Sequence, residues 1–121
     1  PQDYAEARRL FSLAVVQGHA AAPNNLAYMH WHGKGGPQDY AEARRLYSLA
    51  VAQGHAAQTV LGYMHEHGQG GPQDYEEARR LYGLAAVQGH ADAQCNLGVM
   101  YRDGKGLACK LDGSGEVKIG A

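Results

Sequence analysis

The sequence is poor in several residue types on which function often rests. It holds one phenylalanine, one tryptophan and two cysteines in 121 residues. Cys95 and Cys109 are too few for a disulfide framework, and they leave the redox compartment open. No charge of either sign dominates: eleven basic residues stand against twelve acidic ones, for a net charge of -1. Nucleic acid and anionic membranes both call for a clear positive excess, so neither is the expected partner. No apolar run approaches the roughly 20 residues of a membrane helix, and no signal peptide is visible. The first residue is Pro1 rather than Met, which fits a processed chain or a piece of a longer one. Chemistry is equally sparse. There is no GxSxG nucleophile motif and no paired catalytic carboxylates. The HGKGG segment at His32–Gly36 lacks the spacing of a phosphate-binding loop. The expectation is a single non-enzymatic domain with no cofactor and no catalytic residue.

What the sequence has is repetition, which also accounts for its seventeen glycines and eight tyrosines. PQDYAEARRLFSLAVVQGHAA begins at Pro1, PQDYAEARRLYSLAVAQGHAA at Pro37 and PQDYEEARRLYGLAAVQGHAD at Pro72. Each is followed by a second block: LAYMHWHGKGG from Leu26, LGYMHEHGQGG from Leu61 and LGVMYRDGKGL from Leu97. The units run 1–36, 37–71 and 72–106, and the second is one residue shorter, with the gap between His55 and Leu61. A period in this range means stacked supersecondary units, none of which buries its apolar face alone.

Each unit reads as two helices. Asp3, Asp39 and Asp74 are followed three residues later by Glu6, Glu42 and Glu77, a capping-box pattern with Asp in the Ser/Thr role. Ala7, Leu10, Phe11 and Ala14 share one stripe at helical spacing. Gly18, Gly54 and Gly89 are placed for left-handed caps. The second helix spans about Ala22 to His32, with Leu26, Met29 and His30 pointing inward and the small residues Ala27, Gly62 and Gly98 admitting a close neighbour. Gly33–Gly36 and Gly68–Gly71 break the helix, and Pro37 and Pro72 precede the next cap. The segment 107–121 is polar and Gly-rich. It is expected to be a mobile tail and a poor cap for the last apolar face.

ADAQCNLGVMYRDGKG (Ala91 to Gly106) and DYEEARRLYGLAAVQG (Asp74 to Gly89) resemble the Sel-one-like repeat family, a branch of the tetratricopeptide-like helical repeats. The resemblance covers about residues 1–106. It implies an all-α, right-handed superhelical solenoid of antiparallel helix pairs, used as a scaffold or adaptor for protein–protein contacts. It also implies that the LGxMY helices come first in each family repeat and line the concave face. Ala27 and His30 replace the Gly and Tyr of the motif in the first unit, and His65 replaces the Tyr in the second.

On the face opposite Leu26, Met29 and His30, the three LGxMY helices present Asn24, Tyr28 and Trp31, then Thr59, Tyr63 and Glu66, then Cys95, Val99 and Arg102. With His32 and His67 beside them, Asn24, Tyr28, Trp31, Thr59, Tyr63, Glu66, Val99 and Arg102 form the candidate partner-binding groove. Aromatic residues carry much interface energy. Two readings stand for Tyr28 and Tyr63: anchors for a partner, or packing against the neighbouring repeat. Trp31 is expected to be exposed. The pairs Arg8/Arg9, Arg44/Arg45 and Arg79/Arg80 are expected on a solvated face, paired to Glu6, Glu42, Glu76 and Glu77. His30/His32 and His65/His67 diverge by about 200° on a helix, so no native metal site is expected. His19, His55 and His90 are expected to shape turns. The alternative to a binding module is a structural role within a longer array. Uncapped apolar ends leave end-to-end self-association open.

Overall fold

The computed structural model describes residues 2–105, together with the backbone of 109–111 and 117–119. Among the described residues six helices run in chain order: α1 (Tyr4–Val16), α2 (Ala22–His32), α3 (Tyr40–Ala50), α4 (His55–His67), α5 (Tyr75–Ala86) and α6 (Ala91–Asp103). Each packs against the next, and the antiparallel pairs build a right-handed α/α superhelical solenoid. Two short strands, β1 (Cys109–Leu111) and β2 (Val117–Ile119), pair antiparallel with Cys109 opposite Ile119. The expectation of a mobile tail falls largely outside the described residues.

The sequence signals act locally as expected at most helix ends. The Asp3, Asp39 and Asp74 carboxylates each accept the backbone N–H of the Glu three residues on, at 3.0 Å. The box is only half used. The glutamates pair instead with Arg9, Arg45 and Arg80 one turn later. Helices α2, α4 and α6 end on left-handed glycines, Gly33, Gly68 and Gly104. The N–H groups of Lys34, Gln69 and Lys105 then reach back to the carbonyls of Met29, Met64 and Met100 at 2.8 to 2.9 Å, which closes each helix. Gly54 departs from expectation. Helix α3 ends at Ala50, a 3-10 turn covers Val51–Gln53, and Gly54 takes φ 145 and ψ -177, outside the left-handed helical region. The missing residue of the second unit is absorbed here, by starting α4 directly at His55.

The turns after α2 and α4 are clamped onto α1 and α3. A Cβ on Gly70 would lie 2.2 Å from the Tyr40 carbonyl oxygen, so only glycine allows that approach. Across the turn, Arg8 donates to the carbonyls of Met29, Lys34 and Pro37, each at 3.1 Å. Arg44 donates to the carbonyls of Gln69 (3.3 Å) and Pro72 (2.7 Å) and to His65 Nδ1. This corrects the reading of both arginines in a pair as solvated. The second pairs with glutamate on the surface; the first satisfies backbone carbonyls more than twenty residues away.

The core runs across unit boundaries. Leu26, Ala27, Leu46, Tyr47, Leu61, Met64 and Leu81 belong to one buried cluster drawn from four helices. A second cluster joins Ala78 and Tyr82 of α5 to Met100 of α6. Gly62 lets Tyr82 in: a Cβ there would lie 2.8 Å from the ring.

Candidate partner-binding face

Helices α2, α4 and α6 carry the candidate residues. Tyr28 and Tyr63 occupy the same place in successive units and are 45% and 39% exposed. Each has a histidine one turn later, and the rings meet: Tyr28 with His32 and Tyr63 with His67, both at 4.1 Å between centroids. Trp31 lies between the pairs, 4.9 Å from His32 and 6.2 Å from Tyr63, edge-on to both. Five rings thus form one row from α2 to α4. The spacing of 35 residues between the tyrosines keeps the row in register with the solenoid.

Trp31 itself is not the exposed residue that its sequence position suggests. It is half-buried against the core, and its indole N–H donates to Gln69 Oε1 at 3.1 Å. The two tyrosines and the two histidines are the exposed members of the row.

Glu66 is a second correction. The sequence placed it on the outward face, but it is 8% exposed. Its Oε1 accepts the Tyr82 hydroxyl at 2.9 Å, and its Oε2 lies 3.8 Å from Lys105 Nζ. The side chain of His67 is 3.8 Å from the same carboxylate. A carboxylate with these partners holds the third unit to the second; it is not available as a surface contact.

The remaining candidates are scattered. Asn24, Thr59 and Val99 are half-buried. The Thr59 hydroxyl is turned back to the His55 carbonyl at 2.7 Å. Arg102 is exposed and paired to its neighbour Asp103 at 3.0 Å. Cys95 is an exposed free thiol, and the side chain of Cys109 lies outside the described residues. The aromatic row therefore stops at α4, where α6 presents Val99 and Arg102 instead.

Lys34 was missed by the sequence reading. Its ammonium sits 5.1 Å from the ring centres of both Tyr4 and Tyr28. It donates to the Tyr28 hydroxyl at 3.4 Å, which raises its pKa above the ordinary lysine value. The middle position of each GxG turn, at 34, 69 and 105, was the available signal, because it changes between units where the glycines do not. His55 and His90 were expected to shape turns. They stand at the starts of α4 and α6 with rings stacked at 4.3 Å. Among the described residues no three of His, Cys, Asp and Glu converge as a metal site would require. No helix among them is long and apolar enough to cross a membrane.

Comparison with known proteins gives this geometry a lineage. The Sel1 repeat sequence model matches residues 1–19, 20–55, 56–90 and 91–118. The chain belongs to the Sel1 repeat family. Members of this family are generally protein–protein interaction modules. Its Sel1 repeats superpose on the protective antigen c5321 of uropathogenic Escherichia coli strains with a TM-score of 0.83 and 37% identity, covering 88% of this chain and 23% of that one. A Sel1 repeat protein from Oxalobacter formigenes gives 0.80 and 30%, covering 88% of this chain and 44% of that one. The cysteine-rich protein B of Helicobacter pylori matches in fold at 0.68 and 22% identity, over 76% of this chain and 70% of that one. The chain thus spans less than half the length of the first two. No curated protein matches it.

Proposed function

We infer that the chain is a non-catalytic binding module that holds a segment of another protein on the face formed by α2, α4 and α6, the concave side of the solenoid. One observation carries this reading: Tyr28, His32, Trp31, Tyr63 and His67 form a continuous row of rings in which both tyrosines are exposed. A tyrosine offers a large apolar area and a polar tip at little entropic cost, which suits an interface anchor. Trp31 supports the row from below through Gln69 and the core rather than touching the partner broadly. The near-zero net charge favours a protein partner over nucleic acid. Glu66 drops out of the contact surface.

The test compares the wild-type chain with the Tyr28→Ser, Tyr63→Ser variant. Proteins retained by the wild type from a cell lysate are identified by mass spectrometry, and the leading one is purified and titrated against both chains by calorimetry. The reading expects direct binding to the wild type and a loss of about tenfold or more in the variant, with unchanged circular dichroism. Equal affinity for both folded chains places the binding surface elsewhere.

A further inference from the structure

Helices α1, α3 and α5 carry their charge unevenly. Their first halves hold the Asp caps and the Glu–Arg pairs. Beyond Arg9, Arg45 and Arg80 the charge stops: no Lys, Arg, Asp or Glu occurs in 10–33, 46–65 or 81–91. In that uncharged part Leu13, Leu49 and Leu84 hold the same place in successive units, and all three are exposed. Three residues later come Val16, Ala52 and Val87, exposed as well. Leu49 decides whether this is an effect of the array's ends. It lies in the middle unit, with described units on both sides, and it is still 54% exposed. Leu46 and Ala50 of the same helix are fully buried. The leucines therefore form a ladder along α1, α3 and α5, one rung per unit, and stacking of the units does not cover it.

A single exposed leucine is ordinary on a protein surface, whereas an apolar row that recurs in register marks a contact. Two properties of the ladder select what contacts it. The first is its step. A partner that covers more than one rung must repeat with the same step, and this chain's own ladder does. A two-fold rotation about the line of the rungs lays the ladder against itself in register. The second property is charge. Arg9, Arg45 and Arg80, one turn before the rungs, are already paired to glutamates. Two copies thus meet without a like-charge contact and without a bare ion to desolvate. A lipid surface fits less well, because helices that lie on membranes set free Lys and Arg beside their apolar face.

We propose that a second copy of this chain docks side by side on this ladder, related by a two-fold axis that runs along the solenoid through the rungs. Leu13, Leu49 and Leu84 then each meet their own counterpart in the other copy. The uncharged halves of α1, α3 and α5 overlap, and the halves that carry Arg and Glu point away on either side. The register holds for any number of units, so it does not depend on where the array starts or stops. The tyrosine row lies on α2, α4 and α6, outside this contact. The pair therefore offers two rows and holds a partner with two matching segments more tightly than one chain does. That consequence rests on the proposed binding row; the pairing itself does not.

Sedimentation velocity on the full chain, from about 1 µM to about 1 mM, tests the pairing. The variants are Leu49→Glu and Leu49→Lys. Both change an exposed side chain, so their circular dichroism should match the wild type. The wild-type mass is expected to rise to that of a dimer, and either variant to associate at least about tenfold more weakly. An equimolar mixture of the two variants should regain the dimer, because the introduced charges are then opposite. A wild type that stays monomeric throughout overturns the proposal. So does association that ignores both variants, which would move it to another face such as an end of the array. So does a mixture that stays monomeric, since Leu49 would not meet its counterpart. Flotation with neutral phosphatidylcholine vesicles separates the lipid reading. Binding of the wild type that Leu49→Glu abolishes would assign the ladder to lipid and overturn the pairing. The Tyr28→Ser, Tyr63→Ser variant should dimerise as the wild type does. Loss of its dimer would place the pairing on the tyrosine row and overturn the ladder, so the two readings fall separately.

Discussion

Helices α1 and α3 come from sequence blocks that differ at only two of 21 positions, Phe11/Tyr47 and Val16/Ala52. Their environments have little in common. Leu46 is 0% exposed and Leu10 is 51% exposed, although both follow the same Arg-Arg pair. Helix α3 buries Ala43, Leu46, Tyr47 and Ala50, whereas α1 has no buried residue. The difference lies in the neighbours. Among the described helices α3 is packed between α2 and α4, whereas α1 is packed against α2. Sequence sets which stripe is apolar, and stacking decides whether that stripe is covered.

The sharpest way to break this comparison is to truncate the same leucine in both helices. Leu46→Ala should cost about 2 to 5 kcal/mol of unfolding free energy, because it removes a filled core position. Leu10→Ala should change stability by about 0.5 kcal/mol, as for a surface site. Urea denaturation of the two variants beside the wild type reads both values. Similar losses would mean that α1 is covered in solution, which would locate a partner or a second copy on it.

A smaller contrast separates the second and third units. The Tyr82 hydroxyl donates to buried Glu66, while the residue corresponding to Glu66 beside Tyr47 is Trp31, which has no side-chain acceptor. Tyr82→Phe should therefore cost about 1 to 3 kcal/mol by stranding a carboxylate, and Tyr47→Phe only a few tenths, roughly. Both phenols resist ionisation. Burial pushes Tyr47 up to about 12. Burial and then the bond to Glu66 push Tyr82 higher still. An unfolded tyrosine ionises near pH ~10, so this stability is whole below that pH and is lost as the pH rises from there through the folded values. Each Phe variant should flatten the alkaline limb of a stability–pH curve.

These contrasts mark what was legible in the sequence. The helix pairs, the Asp caps and the turn glycines are fixed by contacts within a few residues, and the repeat displays them three times. The roles of Arg8, Trp31 and Glu66 depend on partners 16 to 38 residues away, in Tyr82, Gln69 and the carbonyls of the next turn. A helical wheel gives one inward face, but a solenoid helix also meets the following pair, and that second contact buries Glu66 and half of Trp31. The tyrosine row was visible because Tyr28 and Tyr63 recur on the side away from both contacts. The fold followed from local rules, and the site followed only where those rules sufficed.

The smallest expected effect separates His30 from His65. Both lie at the inner side of the turn that the first arginine of each pair clamps. Burial lowers the pKa of each, with the nearby guanidinium of Arg8 or Arg44 adding to it. Asp39 and Glu42 oppose the shift at His30, and Asp74 and Glu77 oppose it at His65. A histidine depressed in the folded state stays neutral there while the unfolded chain takes up its proton near pH ~6.5. The stability is therefore complete above that pH and is lost as the pH falls through the folded value. The two rings differ in their bonds. His65 Nδ1 accepts from Arg44, whereas His30 Nδ1 is buried without a partner because Arg8 donates to the Met29 carbonyl instead. His30→Leu should then remove an unsatisfied nitrogen and leave stability at neutral pH unchanged or slightly higher. His65→Leu should lower it by taking an acceptor from Arg44. Thermal melts of both variants from pH 5 to 8 read the result: both should lose part of the acid slope, and at pH 8 only His65→Leu should fall below the wild type. Movement in the same direction would show that Arg8 and Arg44 do not hold their turns in different ways.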